Sequence, residues 1–159
     1  MAKAKLEVSN PVFVFKIALA DQEDIWRRIA VRASQTLGDL HAAIFDAFDR
    51  EEEHLYSFFF PRPGSRGRAR LRDAIEYSHP YASDEESPFG ETRNAAKAKL
   101  RNLGFRPRQV FFYLFDFGDE WWHKITVEQI NGKPERIKYP RVLERQGQSP
   151  PQYPDLEEE

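Results

Sequence analysis

Val110 to Val127, VFFYLFDFGDEWWHKITV, joins two apolar runs through the short acidic turn Asp116-Phe117-Gly118-Asp119-Glu120. Residues 109 to 117 are apolar at both alternating positions, the pattern of a strand covered on both faces. The return run from 121 to 130 alternates instead. Trp121, His123, Ile125 and Val127 point one way, and Trp122, Lys124, Thr126 and Glu128 point the other. This predicts a hairpin at the centre of a sheet, with His123 on the core side. Gly118 is expected to supply the positive φ of the turn. Asp-Phe-Gly also occurs in protein kinases, but neither a Gly-rich phosphate loop nor a catalytic-loop signature accompanies it, so the match is accidental.

The rest of the chain builds around that hairpin. VFVFKIAL, from residue 12 to 19, reads as a well-covered strand, and Ile25 to Val31 as a second strand after a polar turn. Arg27 falls on the apolar side of the second strand, where it should meet an acidic group or mark an irregularity. Thr36 and Asp39 form a helix start, and Leu37, Leu40, His41, Ile44 and Phe48 recur at helical spacing through about residue 49. The run Arg50-Glu51-Glu52-Glu53 closes that helix, and HLYSFFF, from 54 to 60, is the next strand. Asn94 to Leu103 reads as a second short helix stopped by Gly104. With thirteen Phe in 159 residues, the expected fold is a single α+β domain over 1–159. Its mostly antiparallel sheet packs against one main helix (36–49), with a second short helix at 94–103.

Charge and composition narrow the function classes. The chain has 24 Lys and Arg against 26 Asp and Glu, so no global field draws it to nucleic acid or an anionic membrane. No cysteine is present, which leaves only His and carboxylate as strong metal ligands. The amino terminus lacks a signal-peptide core and no apolar run reaches ~18 residues, so a soluble cytoplasmic protein without a membrane partner is expected. Residues 61–91 form a flexible Arg/Pro/Gly-rich loop in this reading, with a short edge element expected between Leu71 and Tyr77. The acidic Pro-rich tail at 149–159 wraps the surface or is disordered.

Three sets of residues carry chemistry. His41, His54, Asp116, Asp119 and His123 combine imidazoles with turn carboxylates, a donor set suited to a divalent metal, although their spacing matches no short metal motif. The plainer account has each histidine making a core hydrogen bond, and the aspartates accepting turn amides or holding Arg27 or Arg28. Arg62, Arg66, Arg68, Arg70 and Arg72 could contact phosphates, though neighbouring acidic residues, including the run at 84–86, weaken that case. Of Trp121 and Trp122, at most one is core. The other marks a ligand surface or, as favoured here, packs under the Pro-rich tail.

WRRIAV, TLGDLHAAIFDAF, HLYSF, YLFDFGDEWWHKITVE and the late YPRVLERQGQSPPQYPD together resemble the plasmid pRiA4b ORF-three-like family, over about residues 11 to 155. The resemblance implies an α+β fold, and some members are labelled as passengers of insertion elements, but it implies no reaction. Many members carry a second histidine where Tyr56 stands and a Cys-containing PPED-type segment where this chain has Pro150 to Pro154. The expected function is a non-enzymatic binding or interaction domain with no predicted cofactor. The alternatives are a metal-dependent hydrolytic enzyme using the His/Asp set and a nucleic-acid accessory protein using the arginine loop. Oligomeric state and partner are not specified by the sequence.

Overall fold

The hairpin lies at the middle of the sheet. β6 (Val110–Phe115) and β7 (Trp121–Gly132) pair with Tyr113 opposite His123 and Phe115 opposite Trp121. The computed structural model describes residues 8–84 and 92–153. Within them β1 (Val12–Leu19), β2 (Gln22–Arg32), β3 (Tyr56–Phe60), β4 (Ile75–Ser78), β5 (Thr92–Asn94) and β8 (Arg141–Gln146) complete a sheet of order β5-β4-β3-β6-β7-β1-β2-β8. Every pairing is antiparallel except β4 with β5. This is the expected α+β architecture.

One face of the sheet is covered by α1 (Leu37–Ala47), whose stripe Leu37, Leu40, His41, Ile44 and Ala47 is buried. Thr36 and Asp39 form a full capping box at its start, each side chain meeting the other's backbone amide. Such a cap stabilises a helix by about 1 kcal/mol. At the other end, Arg27 Nε and Arg145 Nη1 both donate to the Ala47 carbonyl, at 2.8 and 2.7 Å. A guanidinium there meets the negative end of the helix dipole, which explains a buried arginine on the apolar side of β2. The acidic partner considered for Arg27 is thus replaced by carbonyl oxygens. Arg28, on the opposite face, pairs with Glu128 and Glu144.

The second helical segment takes the form of two 3₁₀ turns, Ala95–Lys97 and Leu100–Asn102. They lie against the α1 start, where Leu37 N donates to Ala98 O and Leu100 N to Gln35 O. Gly104 ends the segment at φ +65°. The Arg-rich loop contains a four-residue helix, α2 (Ala69–Arg72), followed by β4, so the short element expected there is a strand, but one place in from the edge, since β5 pairs outside it. Glu85 and Glu86 of the nearby acidic run, and the tail from residue 154 onward, lie outside the described residues. β8 carries no clear strand signal in sequence, because only Val142 and Leu143 of RVLERQ are apolar. Among the described residues, no helix is long and apolar enough to cross a membrane.

Candidate functional site

The covered face of the hairpin carries Phe111, Tyr113 and Phe115 from β6, and His123, Ile125 and Val127 from β7, all buried. Tyr113 is the hub of its polar groups. Its hydroxyl lies 2.6 Å from His41 Nδ1, and His41 Nε2 lies 2.9 Å from the Glu53 carboxylate. A carboxylate can only accept, so Nε2 carries a proton and, in the neutral ring, Nδ1 accepts from the Tyr113 hydroxyl. The His41 ring stacks on Tyr56 at 3.8 Å, nearly parallel. Its hydrogen bond holds the Glu53 carboxyl below its ordinary pKa, while burial raises the Tyr113 phenol far above its own.

His123 is fully buried on the same face. Its Nε2 accepts from Arg50 Nη2 at 3.1 Å and its Nδ1 donates to the Tyr113 carbonyl at 3.2 Å. Burial first, and the Arg50 charge second, push its pKa down to about 3, so the ring is neutral at ordinary pH. Arg50 is itself only 6% exposed and lies against Phe48, Phe115 and Trp121, with ring distances of 5.5, 5.2 and 4.8 Å. Its Nε and Nη1, like Trp121 Nε1, have no hydrogen-bond partner among the described residues. Desolvation lowers the Arg50 pKa to about 10, and three aromatic faces replace the missing carboxylate.

His54 belongs to a more exposed group. Its Nε2 donates to the Tyr153 hydroxyl at 2.7 Å, which in turn donates to Glu52 Oε2 at 2.8 Å. That second bond pushes the Tyr153 phenol up to about 12. Asp116 Oδ2 lies 3.5 Å from His54 Nε2, while Asp116 Oδ1 accepts the amides of Gly118 and Asp119. Positive φ falls on Asp116 (+65°) and Glu120 (+54°) and not on Gly118, which corrects the glycine-turn expectation. Aspartate tolerates the left-handed region because its side chain caps the next amides. Asp119 is exposed.

The five residues singled out in sequence therefore do not converge on one point. His54 meets Asp116, His41 meets Tyr113 and Glu53, and His123 meets Arg50. Among the described residues, no group of three or more His, Asp or Glu side chains is placed to hold a metal ion. Arg50, Tyr113 and Glu53 were not identified from sequence. Tyr113 sits inside a uniformly apolar run, and Arg50 opens an acidic run whose composition signals solvent.

The arginine loop disperses as well. Arg62 donates to Asp73 O, Arg72 pairs with Asp73, and Arg70 lies over Phe112 at 5.1 Å, while Arg66 and Arg68 are exposed. The tail acts elsewhere than expected. Buried Gln152 accepts the amides of Glu51 and Glu52 and donates to Glu52 O, so the tail straps the 51–54 loop. Trp122 instead meets Phe59 at 5.4 Å on the open face of the sheet. There it lines a cleft of about 390 Å³ with Ala20, Asp21, Leu71, Phe112, Glu120 and Trp121.

Known proteins are similar to this chain in sequence and in fold. The chain is 28% identical over 138 residues to the uncharacterized protein y4hQ of Sinorhizobium fredii strain NGR234, a match covering 86% of this chain and 63% of that relative's length. The fold is similar to the crystal structure of MM3350, a protein of unknown function from Methanosarcina mazei Go1. The TM-score is 0.67 at 27% identity, covering 89% of this chain and 72% of the other. A family model matches residues 11–154, nearly the whole described chain, and the protein belongs to the plasmid pRiA4b ORF-3-like family.

Proposed function

We propose that this protein is a non-enzymatic binding domain whose ligand site is the cleft walled by Leu71, Phe112, Trp121 and Trp122. What carries this reading is the contrast in how polar and aromatic groups are used. His41 and His123 each have both ring nitrogens in internal hydrogen bonds, so neither offers a free base to a reactant. The cleft, by contrast, is lined by Trp121, Trp122 and Phe112 around a volume of small-molecule size.

The three tryptophans provide the test, since each gives one indole N–H resonance. Titration with a panel of small aromatic and branched aliphatic fragments should shift the Trp121 and Trp122 resonances and leave Trp26 unmoved. Trp122→Ala should abolish the response. If no fragment moves either resonance at millimolar concentration, this reading is wrong.

A further inference from the structure

Three carboxylates on the open face of the sheet and its rim have cationic partners. Glu23 meets Lys124 at 3.3 Å, and Glu128 and Glu144 grip Arg28 at 2.6 and 2.7 Å. Asp21 and Glu120 are different. Both are exposed, both line the tryptophan cleft, and neither has an ion-pair partner among the described residues. They reach it from two turns that lie side by side. The Ala20 amide donates to the Trp122 carbonyl at 2.9 Å, tying the β1–β2 turn to β7, while the Glu120 amide donates to Asp116 O at 2.7 Å inside the β6–β7 turn.

Aromatic walls and carboxylates favour the same kind of guest. The faces of indole and phenyl rings attract cations through the ring quadrupole, and a carboxylate adjoining an apolar wall interacts more strongly with a cation than one in open water. The molecule already makes such contacts around the cleft. Arg70 covers Phe112 from the α2 side, and Arg50 packs on Trp121 from within the core. On the solvent side of the cleft Arg70 brings one positive charge against the two negative charges of Asp21 and Glu120, while the second guanidinium, Arg50, is buried behind Trp121.

Resting on the cleft being the binding site, we infer that its ligand is a small organic cation, an alkylated or aryl-bearing ammonium. Its charge would lie between Asp21 and Glu120 and its apolar body against Trp121, Trp122 and Phe112. The volume of about 390 Å³ suits a free small amine.

Three probes of one shape separate the outcomes: choline, its neutral isostere dimethylbutanol and the anionic dimethylbutanoate. Each is titrated against the full chain while the Trp121 and Trp122 indole resonances are followed. Choline should bind at least about 10-fold more tightly than the neutral isostere, and the carboxylate most weakly. In the Asp21→Asn, Glu120→Gln double variant the preference for choline should shrink to about 2-fold, with dimethylbutanol affinity unchanged. Both residues are exposed, so the variant should retain its fold, and an unchanged Trp26 resonance checks this. Equal binding of choline and dimethylbutanol, or tighter binding of the carboxylate, would overturn the cation assignment while leaving the cleft as a binding site. Failure of all three probes, together with the fragment panel, would remove both.

Discussion

The two faces of the central hairpin use the same residue types in opposite ways. On the covered face every histidine nitrogen has a partner, and a buried guanidinium is held by rings. On the open face the rings stand around a cleft whose carboxylates have no ion-pair partner among the described residues. Adjacent residues of one strand differ in these roles: Trp121 packs on Arg50 and also reaches the cleft wall, whereas Trp122 packs on Phe59 beside the cleft. The difference teaches that polarity in this core serves architecture. A buried polar group already satisfied within the fold has little left to offer a ligand, whereas a half-exposed aromatic with solvent on one side does.

The largest test of that contrast is at Arg50. Arg50→Ala should destabilise the protein by about 3–5 kcal/mol in chemical denaturation, because it leaves His123 Nε2 without its donor and a void among three rings. Arg50→Met, which fills the void without a charge, should recover at least half of that loss. If Arg50→Met is as damaging as Arg50→Ala, the charge matters more than the packing and the covered face is more than architecture.

The next effect is on pH dependence. The unfolded chain protonates His123 near 6.5, while the folded chain resists until about 3, so the unfolded state binds the extra proton between these values. Stability is therefore fully present above pH about 6.5 and falls by on the order of 1 kcal/mol per pH unit as pH drops towards 3. His123→Gln should flatten that acid limb. An unchanged slope would mean that the ring is not held neutral.

The smallest effect is expected on the open face. Trp122→Ala should cost no more than about 1.5 kcal/mol, since the side chain is only half-buried, while abolishing the fragment response. A loss as large as that of Arg50→Ala would make Trp122 a packing residue and erase the distinction between the faces.

Much of this was legible in the residues themselves. The alternation of Trp121, His123, Ile125 and Val127 sets the inward side of β7, and Thr36 with Asp39 marks the helix start at the residue where the capping box forms. Features that depend on distant partners were not legible. Arg50 sits next to three glutamates, and only the tertiary fold buries it. Gly118 is the obvious residue for a left-handed turn, yet the strained position falls on Asp116, where a side-chain cap compensates. β8 is an edge strand with polar residues on both sides, so alternation cannot reveal it. The cleft was half visible: the Trp121-Trp122 doublet marked a surface, but Asp21 and Leu71 arrive from remote turns.

The strap formed by Gln152 also has a consequence in time. Its partner amides at Glu51 and Glu52 lie about 100 residues earlier in the chain. At synthesis rates of roughly 5–20 residues per second, those amides wait on the order of 5–20 seconds before their acceptor exists. Throughout that interval the 51–54 loop must survive with its backbone bare. Its run of glutamates suits that period, because like charges in an unfinished chain keep the segment hydrated and apart from other nascent strands until the closing residue is made.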